Sequence, residues 1–153
     1  KMIPRAMVKG LRARSGRKGF CRGYGEYVAD FEDIIKAAER IRGIAKETPV
    51  LTCRTLDRMY SHEEGSRLFF KCENFQKTGS FKFRGALNAV SALVEENPHL
   101  KSLRVVTQSS GNHGQALAAC AKVRDVPATI VMPHTAPSVK KAAVMGYGAQ
   151  IVE

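Results

Sequence analysis

A lysine lies in the run Gln76-Lys77-Thr78-Gly79-Ser80-Phe81-Lys82-Phe83-Arg84-Gly85, between a strand-like and a helix-like segment. Lys82 falls in the first turn of that helix, where the positive end of the helix dipole and the neighbouring cation of Arg84 disfavour an ammonium. A neutral amine is the form that an imine with a carbonyl compound requires. Read alone, the same run also describes a surface lysine at a helix start, which is common.

A second run, Ser109-Ser110-Gly111-Asn112-His113-Gly114, ends one strand and opens the next helix. Such a turn aims backbone N–H groups and small hydroxyls at one spot, which suits a carboxylate or a phosphate. A plainly capped helix with a glycine turn would read the same way. His113 in this setting can orient a loop without being a catalyst, and His62, His99 and His134 have no motif around them.

The elements that must position these groups follow from periodicity. Asp30 can cap a helix whose apolar face is Ile34, Ala38, Ile41 and Ala45, with Thr48-Pro49 ending it. Val50 to Thr52 reads as extended, Thr55 to Tyr60 as a short helix, Ser61 to Ser66 as a polar turn and Arg67 to Glu73 as a strand. Phe83, Leu87, Val90 and Val94 restore the helical period and stop before Asn97-Pro98. The strand-then-helix unit recurs as strand 104–108, helix 113–123, strand 128–132, helix 138–145 and strand 149–153. That alternation predicts an α/β fold with parallel sheets and flanking helices. The last strand has no following helix to cover the sheet, so a truncated molecule is expected.

Charge is concentrated at one end. The formal net charge is +11, and eight basic groups with no acid fall within residues 1–25, leaving only +3 for the rest. Gly10, Gly16, Gly19 and Gly23 interrupt this arm, so residues 1–27 read as a flexible extension. A targeting segment and a nucleic-acid arm are the other readings. Cys21, Cys53, Cys72 and Cys120 are scattered without metal-ligand spacing, which predicts reduced thiols, no metal site and a reducing compartment. No apolar run approaches the roughly 20 residues that span a bilayer.

Taken in order, the two motifs resemble the fold-type II pyridoxal-phosphate enzymes, in which serine racemases and threonine and serine dehydratases belong. Thr48-Pro49-Val50-Leu51, Phe70-Lys71-Cys72-Glu73, Gly111-Asn112-His113-Gly114-Gln115-Ala116 and the stretch from Ala136-Pro137 to Gly148-Ala149 carry it further. It runs from about residue 28 to the end. The resemblance implies the tryptophan-synthase-β-like fold, with 28–100 beginning a large cofactor domain and 101–153 forming much of a small one. It implies that Lys82 forms the Schiff base with pyridoxal phosphate and serves as base on one face of the α-carbon. Phe81 would pack at the cofactor ring, Asn112 would bond its 3′ oxygen, and Ser109, Asn112 and His113 would hold the substrate carboxylate. Ser110 would be the proton donor on the opposite face, where dehydratases commonly carry alanine.

The resemblance further implies an amino-acid substrate and a homodimer of the full-length protein, while the short apolar runs and the isolated basic tail lead us to expect no membrane or nucleic-acid partner. Mg2+ and ATP are implied as effectors, the nucleotide falling at Lys77, Thr78 and Lys140. Cys53-Arg54 departs from the Ser-Ser that the family contributes to that nucleotide site. The glycine-rich phosphate loop, the group facing the pyridine nitrogen and the metal site lie further on in the family, so this chain is expected to be an inactive N-terminal part. A cytoplasmic location is expected, with the mitochondrion as the alternative that the basic arm leaves open.

Overall fold

The computed structural model describes residues 29–60, 66–99 and 102–153. The expected basic arm, and all of the expected turn 61–66 but Ser66, lie outside them. Residues Phe31–Glu153 form one compact unit. In chain order it contains α1 (Phe31–Ile41), β1 (Val50–Thr52), α2 (Arg54–Tyr60), β2 (Phe69–Lys71) and α3 (Lys82–Glu96). Then follow β3 (Val105–Gln108), α4 (Asn112–Val123), β4 (Ala128–Val131), α5 (Ser138–Gly146) and β5 (Gln150–Val152).

The second half repeats one unit. Strands β3, β4 and β5 are parallel and adjacent in that order, with Val105 opposite Ala128 and Thr129 opposite Gln150. The helix α4 joins the first pair and is rich in alanine. Gly114 and every residue from Ala116 to Ala121 are buried, so its small side chains admit neighbours on nearly all sides. It packs against α3, α5 and the sheet. Ile130, Met132, Leu87 and Phe83 fill the space between, each 1% exposed or less.

The strand before Lys82 differs from expectation. It is shorter than 67–73 and pairs antiparallel with β1, placing Leu51 opposite Phe70, so the two form a separate ribbon and not another strand of the parallel sheet. The pairing is extended by the Cys72 N–H donating to the Pro49 carbonyl at 3.0 Å and by the Lys71 ammonium donating to the Thr48 carbonyl at 2.7 Å. Glu73, expected at the strand end, opens a 3-10 turn over Glu73–Phe75.

The first helix also ends earlier than Thr48-Pro49. Gly43 adopts φ +74°, and the Ala45 N–H returns to the Ile41 carbonyl at 3.0 Å, a left-handed stop that glycine makes without steric cost. Of the expected apolar face, Ile41 and Ala45 pack partly against the core, whereas Ile34 and Ala38 are exposed. Among the described residues no helix is long and apolar enough to cross a membrane. Cys53, Cys72 and Cys120 are free thiols, as expected, and Cys21 lies outside the described residues.

Candidate active site

The helix α3 presents three faces. Phe83, Ala86, Leu87, Val90 and Ser91 recur at helical spacing and are buried in the core. Lys82, Gly85, Ala89 and Leu93 form a second stripe that borders a cavity of about 640 Å³. Residues 104–107 at β3, with His113 and Leu117 of α4, form the opposite wall. Such a volume lies within the range of roughly 300–1,000 Å³ that small-molecule sites occupy. The third face, with Arg84, Asn88 and Glu95, is polar and turned toward α1 and residues 46–48.

Lys82 is the first residue of α3, as the sequence predicted. Its Nζ lies 4.9 Å from the centre of the Phe81 ring, a cation–aromatic contact at the cavity wall. Arg84 is itself paired. Its guanidinium forms a two-pronged ion pair with Glu73, at 2.9 Å from Nε and 2.8 Å from Nη2, and that partner takes up its charge. The Arg84 guanidinium in turn holds the Glu73 carboxyl far below its ordinary value of 4.5, at about 2, with the Thr48 hydroxyl donating to the same carboxylate at 2.5 Å.

The turn between β3 and α4 is folded around one hydroxyl. Ser109 Oγ accepts from the Gly111 N–H at 3.3 Å and from the Gly114 N–H at 3.0 Å. Gly114 lets the helix start come this close, because a Cβ there would meet the Ser109 carbonyl oxygen at 2.8 Å and Ile130 Cγ2 at 3.0 Å. Ser110, Asn112 and His113 are exposed at this turn. His113 lines the cavity with Phe81 and Lys82, while Ser109, Ser110 and Asn112 are on the adjoining turn and not in its lining.

The residues assigned by resemblance to a nucleotide are divided. Lys77 and Thr78 border a second cavity of about 310 Å³ with Lys122 and Tyr147. Lys140 is not in that lining, and its Nζ donates instead to Asn112 Oδ1 at 2.9 Å. Thr78 has φ 63° and, like Ser80, a buried hydroxyl without a hydrogen-bond partner.

Sequence reasoning missed two features here. One is the cavity stripe Gly85, Ala89 and Leu93, which the helical period starting at Lys82 would have revealed. The other is the Glu73–Arg84 pair, for which no regular spacing gives a signal.

A lysine amine opening a helix, beside an aromatic ring and sharing a cavity with His113 of the next helix start, suits an α/β protein of lysine–carbonyl chemistry. Comparison with known proteins agrees with that class. The family described as pyridoxal-phosphate dependent enzyme matches residues 41–153, and this chain belongs to it. Human serine racemase is 54% identical over 127 residues, which are 83% of this chain and 36% of that protein. An L-threo-3-hydroxyaspartate ammonia-lyase of a Pseudomonas species is 51% identical over 82% of this chain and 37% of its own length. The crystal structure of a pyridoxal 5′-phosphate-dependent aspartate racemase superposes with a TM-score of 0.78 at 48% identity, covering 85% of this chain and 39% of that one. The chain thus spans little more than a third of the length of the relatives it matches.

Proposed function

We propose that the intact protein is a pyridoxal-phosphate-dependent serine racemase that also eliminates water from serine. The observation that carries this reading is Lys82 at the head of α3, on the wall of a cavity it shares with Phe81 and His113. The residues fit the cofactor: a primary amine for its aldehyde, a flat ring beside that amine, and a polar helix start close by. Lys82, Phe81 and Asn112 would hold it. When bound, pyridoxal phosphate supplies a sink for the electrons of the substrate's α-carbon.

The remaining work falls to side chains of this chain. The Lys82 amine removes the α-proton of L-serine from one face. A single base would return that proton to the side it left, so inversion needs a second donor, and the Ser110 hydroxyl is assigned that role. Ser109 already accepts two N–H bonds, so its O–H is the capacity it has to offer a carboxylate. Asn112 has its carboxamide oxygen engaged by Lys140, which leaves its NH2 group as the donor it would offer an anionic oxygen. His113 completes the carboxylate contacts.

A second reading is an ammonia-lyase acting on a hydroxy amino acid, threonine or serine among them, which the 51% identical hydroxyaspartate ammonia-lyase supports. The Ser110→Ala variant of the intact protein separates the two. Racemisation should fall by the roughly 10²- to 10⁴-fold typical of a lost positioned acid, while elimination, which needs only Lys82 and loss of the β-hydroxyl, largely survives. D-serine and pyruvate are measured from L-serine in one assay. Equal loss of both products would make Ser110 structural, and unchanged racemisation would place the second donor elsewhere.

The same reading assigns 28–100 to a large domain and 101–153 to a small one, a homodimer, a cytoplasmic location, and Mg2+ and a nucleotide as effectors. The shared cavity of Lys77 and Thr78 supports the nucleotide, and Lys140 would have to leave Asn112 to join them. The 153-residue chain alone should turn over neither serine nor threonine.

A further inference from the structure

Two residues apart on an α-helix is about 200° of rotation, so Lys82 and Arg84 leave α3 in nearly opposite directions. Lys82 goes to the cavity, and Arg84 goes to a polar knot. In that knot the Arg84 guanidinium reaches Glu73, the Lys46 carbonyl at 3.0 Å and the Thr48 hydroxyl at 3.4 Å. Gln76, only 3% exposed, ties the loop before α3 to the same strand of chain. Its carboxamide accepts from the Lys46 N–H at 2.9 Å and donates to the Lys46 carbonyl at 2.8 Å.

We propose that Glu73 and Arg84 are positioning residues: their ion pair fixes the roll of the first turn of α3 and so aims the Lys82 amine into the cavity. The argument is geometric. The segment from Glu73 to Phe81 runs through two 3-10 turns, closed by short backbone returns of Gln76 N–H to Glu73 at 3.1 Å and Gly79 N–H to Gln76 at 2.9 Å, and through a threonine at positive φ, so it enters α3 without a continuous helical ladder. A bidentate fork defines an orientation as well as a distance, which a single-point contact does not. The partner on the other side, residues 46–48, is itself held to β2 through the Lys71–Thr48 bond. Because the reach of a lysine side chain magnifies any roll of its helix, a small turn of α3 would move Nζ out of line, and misplacement of about 1 Å can cost roughly 100-fold in reactivity. The Arg84 guanidinium holds the Glu73 carboxyl well below its ordinary value, which favours the charged form near neutral pH.

The proposal rests on Lys82 as the cofactor lysine, and the test distinguishes the two. In the intact protein stripped of cofactor, pyridoxal phosphate is added, and the rate of its attachment is followed by absorbance and the induced circular dichroism of the bound ring. The attached residue is mapped by borohydride reduction and mass spectrometry. Glu73→Gln and Arg84→Lys should slow attachment by roughly tenfold or more and change the induced dichroism at temperatures where both variants are folded. Arg40→Gln is the control, since Arg40 ties the same polar face further along α3, through Asn88 at 3.3 Å and Glu95 at 2.7 Å, and should leave both readouts unchanged. Wild-type attachment rates and dichroism in Glu73→Gln and Arg84→Lys would overturn the clamp, as would a slowing no greater than that in Arg40→Gln. Mapping to a residue other than Lys82 in the wild type would overturn the function reading and the clamp with it.

Discussion

The helix-and-sheet half of this chain and the β1–β2 ribbon are held by different forces. Around α3, α4 and β4, fully buried apolar side chains such as Leu87, Val90 and Ile130 form one continuous core. In the ribbon every residue of both strands is exposed, with Leu51 51% and Phe69 65% accessible. What fastens the ribbon is polar: Lys71 to the Thr48 carbonyl, Gln76 to Lys46, and Glu73 to Arg84. Lys82 sits where these two regimes meet. The packed half gives it a stiff helix, and the polar clasps set where that helix begins.

If that contrast is right, truncation should be costly on one side and cheap on the other. Ile130→Ala, at a site with no solvent exposure, should cost this chain about 2–5 kcal/mol, read as a fall in the urea midpoint. A loss under about 1 kcal/mol would mean the sheet face is not packed as described.

Glu73→Gln should have an intermediate effect, about 1–3 kcal/mol, because it leaves the Arg84 fork without its charged acceptor. The side chains of the pair are 17% and 31% exposed, between a surface pair and a buried one. A stability equal to wild type would show the ribbon to be fastened without this pair.

The same pair predicts a pH signature of definite sign. The carboxyl of Glu73 is held at about 2 in the fold against an ordinary 4.5. The unfolded chain therefore binds the proton first as acid is added, and the contribution of the pair is complete above pH 4.5 and lost as pH falls toward 2. The difference in stability between wild type and Glu73→Gln should be level above pH 4.5 and shrink below it. A difference that grows in acid would reverse the assignment. Smallest of all, Leu51→Ala in the ribbon should change the stability of this chain by no more than about 0.5 kcal/mol.

The two regions were also unequally legible in the sequence. From Phe83 onward, apolar spacing and short polar turns mark each helix and strand to within a residue or two, because burial there follows local periodicity. Strand β2 reads the same way in isolation, yet its partner is chosen by contacts with residues twenty positions earlier, and periodicity carries nothing about that choice. The end of α1 turned on one glycine in a left-handed conformation, which competes with an otherwise unbroken helical pattern. At the candidate site, Lys82 and the Ser109–Asn112 turn stand out in the sequence because each lies in a run of contiguous residues. For Arg84 the sequence pointed only to Lys82, and nothing in it marked the ion pair that the fold makes with an acid eleven residues away.

The thiol of Cys120 has a practical consequence. It is fully enclosed on α4, donates to the Phe83 carbonyl of α3 at 3.6 Å, and is pushed up to about 12 by burial. An alkylating reagent at neutral pH meets neither a thiolate nor an open path there, while Cys53 and Cys72 are only partly shielded. Modification of Cys120 therefore waits on an opening of the packing around α4. Its labelling half-life is a clock for that opening, built in directly behind the helix turn that carries Lys82.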